Sequence, residues 1–560
     1  MRPEVWAPIP DSVELVLGDG TRLPLERRED GWWTGGPDLA HGDRYGFALD
    51  GGDPLPDPRS RRQPDGVHGL SAVDEERFEW TDDEWPGVEL LGGVIYELHI
   101  GTFTPEGTLD AAIGRLDHLR ELGVAAVELL PVAEAMGERG WGYDGVGLWA
   151  VHHAYGGPAA LRRFVDAAHR AGIGVLLDVV YNHLGPEGSY LHLFGPYFTD
   201  RHETPWGAAV NLDGPGSDEV RRFIIDNAIH WCRDHHLDGL RVDATHALLD
   251  DSPVHVMTEL SRAVHELGDE DGRRRWVVVE REQAELLPMR SPEQGGWGAD
   301  ARWGDDLHHA LHALLTGERT GYYEPFGRLD DVATVLRAGH LPPGEPVDDE
   351  IGPVHLITCA QNHDQVGNRP GGERLSDLAG TDAAMAAAAI VLLGPGTPMI
   401  FQGEEWAATA TFPFFCDTSD DELAEAIRSG RLAELEPLGW DRDSFLDPLD
   451  ETTFQYANLD WDQLDRADHH QVLDWYRTLI HLRREHAELA TGRVDDVEVD
   501  EPAGLLRMRR GRFDVVCNVG DEEVEVALPD RELVAAHGKV VLDEGGLRVG
   551  STSTAVLRRG

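Results

Sequence analysis

The stretch Asp238-Gly-Leu-Arg-Val-Asp-Ala-Thr-His246 decides how the rest of the chain is read. Leu240, Val242 and Ala244 alternate with Arg241 and Asp243, the period of a short strand with one apolar and one charged face. Such a strand is normally half exposed. The runs preceding it are helix–strand alternations, however, and these imply a parallel sheet covered on both sides. Arginine and aspartate at the end of a doubly covered strand are costly unless something there uses them. The stretch is therefore a fold signal and the first sign of an active site.

Upstream, residues 94–100, 124–130 and 174–180 read as strands. Between them Ile113, Leu116 and Leu119 mark a helix face ending near Gly123, and Pro158 opens a helix with Leu161, Phe164, Val165 and Ala168 on one side, stopping at Gly172. Ser217 is a candidate N-cap for a helix that turns Val220, Phe223, Ile224, Ala228 and Trp231 inward. Downstream, residues 276–280, 355–359 and 397–403 continue the alternation. This succession predicts an α/β fold, a (β/α)8 TIM barrel over residues 89–492 with long insertions. A doubly wound sheet is the competing architecture, but it rarely carries carboxylates at the ends of so many strands.

The flanks have a different rhythm. Residues 1–88 show short alternating runs (Val13, Leu15, Leu17) broken by Gly20, Gly31, Gly35 and Gly51, which predicts an immunoglobulin-like β-sandwich. Three prolines in Leu55-Pro-Asp-Pro-Arg-Ser-Arg-Arg-Gln-Pro64 forbid helix or central strand, so this segment is read as an ordered crossing into the barrel, a pattern that a plain linker would share. Residues 493–560 return to short strands, with Val497 and Val499, then Phe513, Val515 and Cys517, then Val524, Val526 and Leu528, predicting a second β-sandwich.

In a 560-residue chain that is 41% hydrophobic and 27% charged, several cores can be buried and ordinary soluble behaviour is expected. A formal net charge of −54 repels nucleic acid and anionic membranes and points to neutral or cationic partners. Lys539 is the only lysine, so arginine supplies nearly all positive charge. No apolar run has the length of a membrane span, and Met1-Arg-Pro-Glu-Val-Trp lacks the start of a secretion signal, so the cytoplasm is expected. Cys232, Cys359, Cys416 and Cys517 lie far apart without metal-ligand spacing and are expected as free buried thiols.

The chemistry sits just after the barrel strands, where this fold keeps its sites. Asp178, Asn182 and His183 follow the third strand, Arg241, Asp243 and His246 the fourth, Glu280 ends the fifth, and Asn362-His-Asp-Gln-Val-Gly-Asn-Arg369 follows the seventh. Asp243, Glu280 and Asp364 would converge on one mouth. Crowded carboxyls raise one another's proton affinity, so one can remain an acid while another stays an anionic nucleophile. Retaining glycoside cleavage requires that division, with the two working carboxyls about 5–5.5 Å apart.

These blocks, Asp-Val-Val-Tyr-Asn-His183, Gly-Leu-Arg-Val-Asp-Ala244, the strand ending in Glu280 and Asn-His-Asp364, resemble the α-amylase superfamily of glycoside hydrolases. Further segments resemble its maltooligosyltrehalose trehalohydrolase family: Trp141-Gly-Tyr-Asp-Gly-Val146, Asp305-Asp-Leu-His-His309, Gln361 to Arg369, Phe401-Gln-Gly-Glu-Glu-Trp406, and the crossing from Pro56 to His68. The resemblance implies Asp243 as nucleophile, Glu280 as acid/base and Asp364 as transition-state stabiliser. It implies sugar contacts from Tyr143, Asp144, His183, Arg241, His246, His363, Gln365 and Asn368, and contacts at the rim from Asp305, His308 and His309. The bond cut would be the α-1,4 link beside a terminal trehalose unit of maltooligosyltrehalose, an α-1,4-glucan oligosaccharide. Neither cofactor nor catalytic metal is implied, although the position of Asn182 resembles a calcium ligand of amylase relatives.

Several readings compete. Asp178 reads as a supporting group and not a catalytic one, and Asp243 alone could be half of a structural salt bridge with Arg241. Glu280 and Glu282 share one strand face, and the end of the apolar run favours Glu280. Asp305, His308 and His309 have the helical spacing of a zinc site, but such a set is more often a polar face. Trp32 and Trp33 read as sandwich core, and the loop Phe412-Pro-Phe-Phe-Cys-Asp-Thr418 as a candidate contact to the leaving sugar. A branching or debranching enzyme sharing the carboxylates, and a non-catalytic glucan-binding protein, are the other functional readings.

Overall fold

Eight parallel strands close into a barrel in the computed structural model, which describes residues 1–74, 77–281, 284–435, 440, 444–543 and 546–560. They are Ile95–Leu98 (β1), Ala126–Leu129 (β2), Gly174–Val179 (β3), Gly239–Val242 (β4), Trp276–Val279 (β5), Ala301–Trp303 (β6), Leu356–Cys359 (β7) and Thr397–Phe401 (β8). All of their residues are buried, which is why runs such as Trp276-Val-Val-Val279 are apolar without alternation. β6 is the strand that no sequence pattern announced. It has three residues and its centre is Arg302, buried and donating to Trp303 O at 3.1 Å, so neither length nor apolar periodicity marks it.

The register places Glu97 beside Glu128 and Asp178 beside Arg241. These four ionisable residues therefore sit inside the upper barrel, where a core would ordinarily be apolar. Helices cover the outside, among them Leu116–Leu122, Gly157–Arg170 and Ser217–Asp234. The first ends at Gly123, whose φ of 95° needs glycine. Ser217 is not a cap. Gly216 occupies the N-cap at φ 83°, and Asp218 and Glu219 in the first turn supply the negative charge the helix N-terminus favours.

Ahead of the barrel, Glu4–Trp6, Trp32–Thr34 and Glu26–Arg27 form one antiparallel sheet. Arg22–Pro24, Val13–Leu17, Arg44–Leu49 and Pro54–Leu55 form a second, with Ser71–Ala72 added to Arg44–Leu49. Trp33 is buried between them and donates to Ala7 O at 2.8 Å. Trp32 departs from the expected core. It is only half-buried and borders a cavity of about 550 Å3 shared with the helix Ser217–Asp234 and lined also by Arg59, Trp149 and Asp226. Arg59 bonds Asp226 at 2.8 Å, which ties the proline-rich crossing to the barrel.

After the barrel, a five-stranded sheet runs Asp496–Asp500, Leu505–Arg510, Phe513–Asn518, Ser553–Arg559, Arg531–His537, with a three-stranded sheet of Val524–Val526, Gly546–Val549 and Val540–Asp543. Arg483, fully buried, donates to the carbonyls of Gly92, Leu392, Gly394 and Gly396 at 2.7–2.9 Å. The Gly394-Pro-Gly396 turn thus has its backbone groups satisfied by a side chain, as buried loops require. All four cysteines are free and buried. Among the described residues no helix is long and apolar enough to cross a membrane.

Candidate active site

Arg241 is the centre of the site. It is 0% exposed, its NH1 donates to Asp178 Oδ2 at 2.6 Å and Asp243 Oδ1 at 2.8 Å, and its NH2 lies 3.0 Å from Glu280 Oε2. Its guanidinium stands 4.1 Å from the centre of the Trp303 ring. Burial by itself would lower its pKa, but Asp178, Glu280 and Asp243 outweigh that and hold it well above the ordinary value. One planar fork therefore gathers carboxylates from three successive strands.

β4 stops at Val242 because Ala244 adopts φ 41°, which turns the chain into Thr245–Ala247 and leaves Asp243 at the rim. Asp243 Oδ2 accepts from Asn182 Nδ2 at 2.9 Å, and Ala244 N–H donates to Glu280 Oε2 at 2.8 Å. Glu280 Oε2 is thus engaged twice, while the side chain remains 20% exposed toward the mouth. Asn182 spends its amide on Asp243, and its oxygen meets His183 Nδ1. Glu282 lies outside the described residues.

Asp178 is a buried support. Burial raises its pKa, Arg241 opposes, and the balance is about 7. Tyr143 donates its hydroxyl to Asp178 Oδ2 at 2.6 Å, lies 2.8 Å from His363 Nε2, and stacks on that imidazole with ring centres 5.2 Å apart. Asn362 caps the helix His363–Gly367 by accepting from the backbone of Asp364 and Gln365, which fixes Asp364 at the helix start, 34% exposed and 3.4 Å from His363 Nε2. Asp305 begins the helix after β6. Its pKa is pushed to about 7 by burial and by the nearby charges of Glu280 and Asp364, so a fourth carboxyl faces the mouth.

The remaining expected residues divide. His183 and His246 flank the mouth, and Asp144 is exposed beside it. His363 is 1% exposed with both ring nitrogens engaged, one layer beneath the position expected of a sugar ligand. His308 is not at the rim: its Nδ1 contacts Ala360 O at 2.6 Å and its Nε2 Tyr323 Oη at 3.2 Å, so it also has no nitrogen for a metal. His309 is half-buried against Tyr322, Gln365 is 9% exposed, and Asn368 accepts from Arg431 at 3.2 Å. The loop Phe412–Thr418 turns inward. Phe412 and Phe415 are buried, and Phe412 stacks on Trp141, so these two rings back the site, while Phe414 is half-buried and lines a pocket with Asp144.

Two aromatic residues at the mouth were not picked out by sequence reasoning. Trp206, at the tip of the hairpin formed by Phe198–Thr204 and Gly207–Val210, is 49% exposed and stacks on His183 with ring centres 5.0 Å apart. Tyr322, 39% exposed, stacks on His309. Nothing periodic marks either. For Trp206 the available signal was an isolated large aromatic residue within a polar turn.

A barrel with carboxylates after its fourth, fifth and seventh strands, the first two joined by one buried arginine, has the architecture of an α-amylase-type glycoside hydrolase, and residues 64–194 match the model for the alpha amylase catalytic domain. Over 99% of both chains, 48% of residues are identical to the malto-oligosyltrehalose trehalohydrolase of Arthrobacter ramosus. The Saccharolobus solfataricus protein of that name is 41% identical over 88% of this chain and 87% of its own. A solved structure from Salmonella typhimurium superimposes with TM-score 0.90 at 35% identity, covering 100% of this chain and 97% of that one. The chain belongs to the malto-oligosyltrehalose trehalohydrolase family.

Proposed function

We propose that the protein hydrolyses the α-1,4 bond next to the terminal trehalose of a maltooligosyltrehalose, releasing trehalose and a maltooligosaccharide with retained configuration. The observation that carries this reading is the Arg241 fork, which holds Asp243 and Glu280 as neighbours at the mouth of a barrel whose relatives bear that name. Asp243, whose Oδ1 accepts from Arg241, attacks the anomeric carbon while Glu280 gives its proton to the leaving oxygen, so the glycosidic bond breaks as the glycosyl–Asp243 ester forms. Glu280 then takes a proton from water, whose oxygen displaces Asp243 from the same carbon. Asp364 opposes the positive charge that develops on the sugar ring.

Tyr143, pinned by Asp178 and His363, offers a ring face to the sugar in the reacting subsite. Asp144, His183, His246, Gln365 and Asn368 supply polar contacts around it, and Asp305 and His309 form the rim. Trp206 extends the mouth with an exposed indole face. Stacking of this kind is worth about 1 kcal/mol, so Trp206→Ala raises KM roughly fivefold to tenfold with kcat nearly unchanged. Steady-state kinetics on oligosaccharides of graded length check this, and an unaltered KM at every length removes the ring from the subsites. Four reduced thiols fit a cytoplasmic reaction.

The reading is tested by giving the purified protein maltopentaose and, separately, a maltooligosaccharide ending in trehalose, then identifying the sugars released. Free trehalose from the second with little cleavage of the first supports it. Equal cleavage of both, or new α-1,6 links, overturns the trehalose assignment and leaves the barrel and its carboxylates standing.

A further inference from the structure

Beneath the mouth lies a buried group of charges that the proposed reaction does not use directly. Glu97 on β1 accepts from the backbone N–H of His363 at 3.0 Å through Oε2, and its Oε1 lies 2.6 Å from His363 Nδ1. Both side chains are 1% exposed. On the other side of the ring, His363 Nε2 is 2.8 Å from Tyr143 Oη. Tyr143 has one hydroxyl proton and gives it to Asp178 Oδ2, which also accepts from Arg241. The tyrosine oxygen is then an acceptor toward His363, and a carboxylate is an acceptor at the other nitrogen. With Asp178 ionised, as it is above its pKa of about 7, proton counting along this chain places a hydrogen on both ring nitrogens.

We propose that Glu97 is a positioning residue that holds His363 as an imidazolium, and through it fixes the Tyr143 ring and the Asp364 carboxylate in working geometry. The inference rests on the hydrolase reading above and adds to it a group on the first strand. His363 is locked by a two-point contact to Glu97. Tyr143 is stacked on it, and Asp364 Oδ1 lies 3.4 Å from its Nε2, so the orientation of both mouth residues depends on a buried ring that is scarcely exposed itself.

The acid next to Glu97 lacks the partners that Glu97 has. Glu128 stands beside Glu97 in the register, and its Oε2 is buried without a hydrogen-bond partner among the described residues. Burial, and then the charge of Glu97, push the Glu128 pKa well above the usual carboxyl range, so this carboxyl keeps its proton. Of the two adjacent acids, Glu97 is the one with hydrogen-bond partners, the backbone N–H and the imidazole of His363.

The other charged or titratable groups around His363 are Asp364 on its own helix, Arg241 from β4, Asp178 from β3 through Tyr143, and His99 after β1. Trp141 and Trp303 present uncharged rings edge-on. Burial lowers the imidazole pKa, Asp364 and Glu97 outweigh it, and the balance lies at about 9. The charged form is complete well below that value and is lost as pH rises through it. Removing the Glu97 carboxylate lowers the imidazole pKa and brings this loss to lower pH.

The test is the pH profile of kcat/KM for wild type, Glu97→Gln and Glu97→Asp, with thermal unfolding as the check on folding. Glu97→Gln is expected to move the alkaline limb down by about one pH unit, since a unit is a tenfold change in the protonation equilibrium, and to lower kcat more than it raises KM. Glu97→Asp, which retains the charge, is expected to keep the limb near wild type. A glutamine variant whose activity falls at every pH with the limb unmoved overturns the inference and leaves Glu97 as packing. If that variant does not fold, His363→Gln decides: the limb near pH 9 disappears from its profile, and a limb persisting there overturns the inference. The profile is read on whichever α-glucan the protein cleaves, so a failure of the trehalose assignment and a failure of this proposal give different results.

Discussion

Asp243→Asn lowers kcat by roughly four orders of magnitude, the scale seen when a group required by the whole chemical step is removed. The amide oxygen can still accept from Arg241, as Oδ1 does now at 2.8 Å, so the strand end and its turn are retained. What is lost is the nucleophilic lone pair with its charge. The amide also presents a second NH2 toward Asn182, whose Nδ2 donates to Oδ2 at 2.9 Å, which introduces a donor–donor conflict. A moderate fall in stability of about 1–2 kcal/mol is therefore expected beside the large kinetic loss. Single-turnover kinetics with thermal unfolding measure both effects. Turnover near the wild-type rate would remove Asp243 from the nucleophile's role, and its abolition in a folded variant excludes a glucan-binding protein without catalysis.

Glu280→Gln separates the acid from the nucleophile. With natural sugar leaving groups the loss is expected to reach about 10^3-fold to 10^4-fold. With an activated aryl leaving group, which departs without a proton, the first step survives, and hydrolysis of the glycosyl-enzyme becomes the slow step. Glutamine preserves an acceptor for the Ala244 N–H and weakens only the pairing with Arg241 NH2, so folding is little affected. Glu282→Gln is the control and is expected to leave both substrates near wild type. If Glu282→Gln instead produces the leaving-group pattern, the acid on the fifth strand has been misassigned.

The parts of the site legible in the sequence are those written as local patterns. Asp243 follows an alternating strand, Glu280 ends an apolar run, and Asp364 lies two residues after a helix-capping asparagine. Each can be found within a window of about ten residues because strand period and capping are short-range effects. β6 escaped because a three-residue strand around Arg302 has no period to read. Ser217 misled because a serine before an apolar helix face is a good cap in isolation, while here Gly216 takes that place with a backbone conformation serine does not favour.

The aromatic residues show where local reading stops. Phe412 and Phe415 fall after β8 and could have faced substrate, but the loop folds back and stacks Phe412 on Trp141. Trp206 lies far from any barrel strand in sequence and reaches the mouth through a hairpin that rests on His183. Ring orientation is set by what the loop packs against, and a sequence window does not contain that partner.

By itself the sequence determined the barrel, its flanking sheets and the three carboxylates at strand ends, because each depends on hydrophobic period, turn residues and strand termini encoded nearby. Only the tertiary structure decided that Arg241 binds Asp178, Asp243 and Glu280 together, that His363 is buried between Glu97 and Tyr143, and that Glu128 beside them keeps its proton. Charge states and hydrogen-bond partners depend on distances of a few ångströms between residues that lie as far as 266 positions apart. Barrel closure brings those residues together, and at that range burial and Coulomb interaction outweigh any preference the individual residue carries.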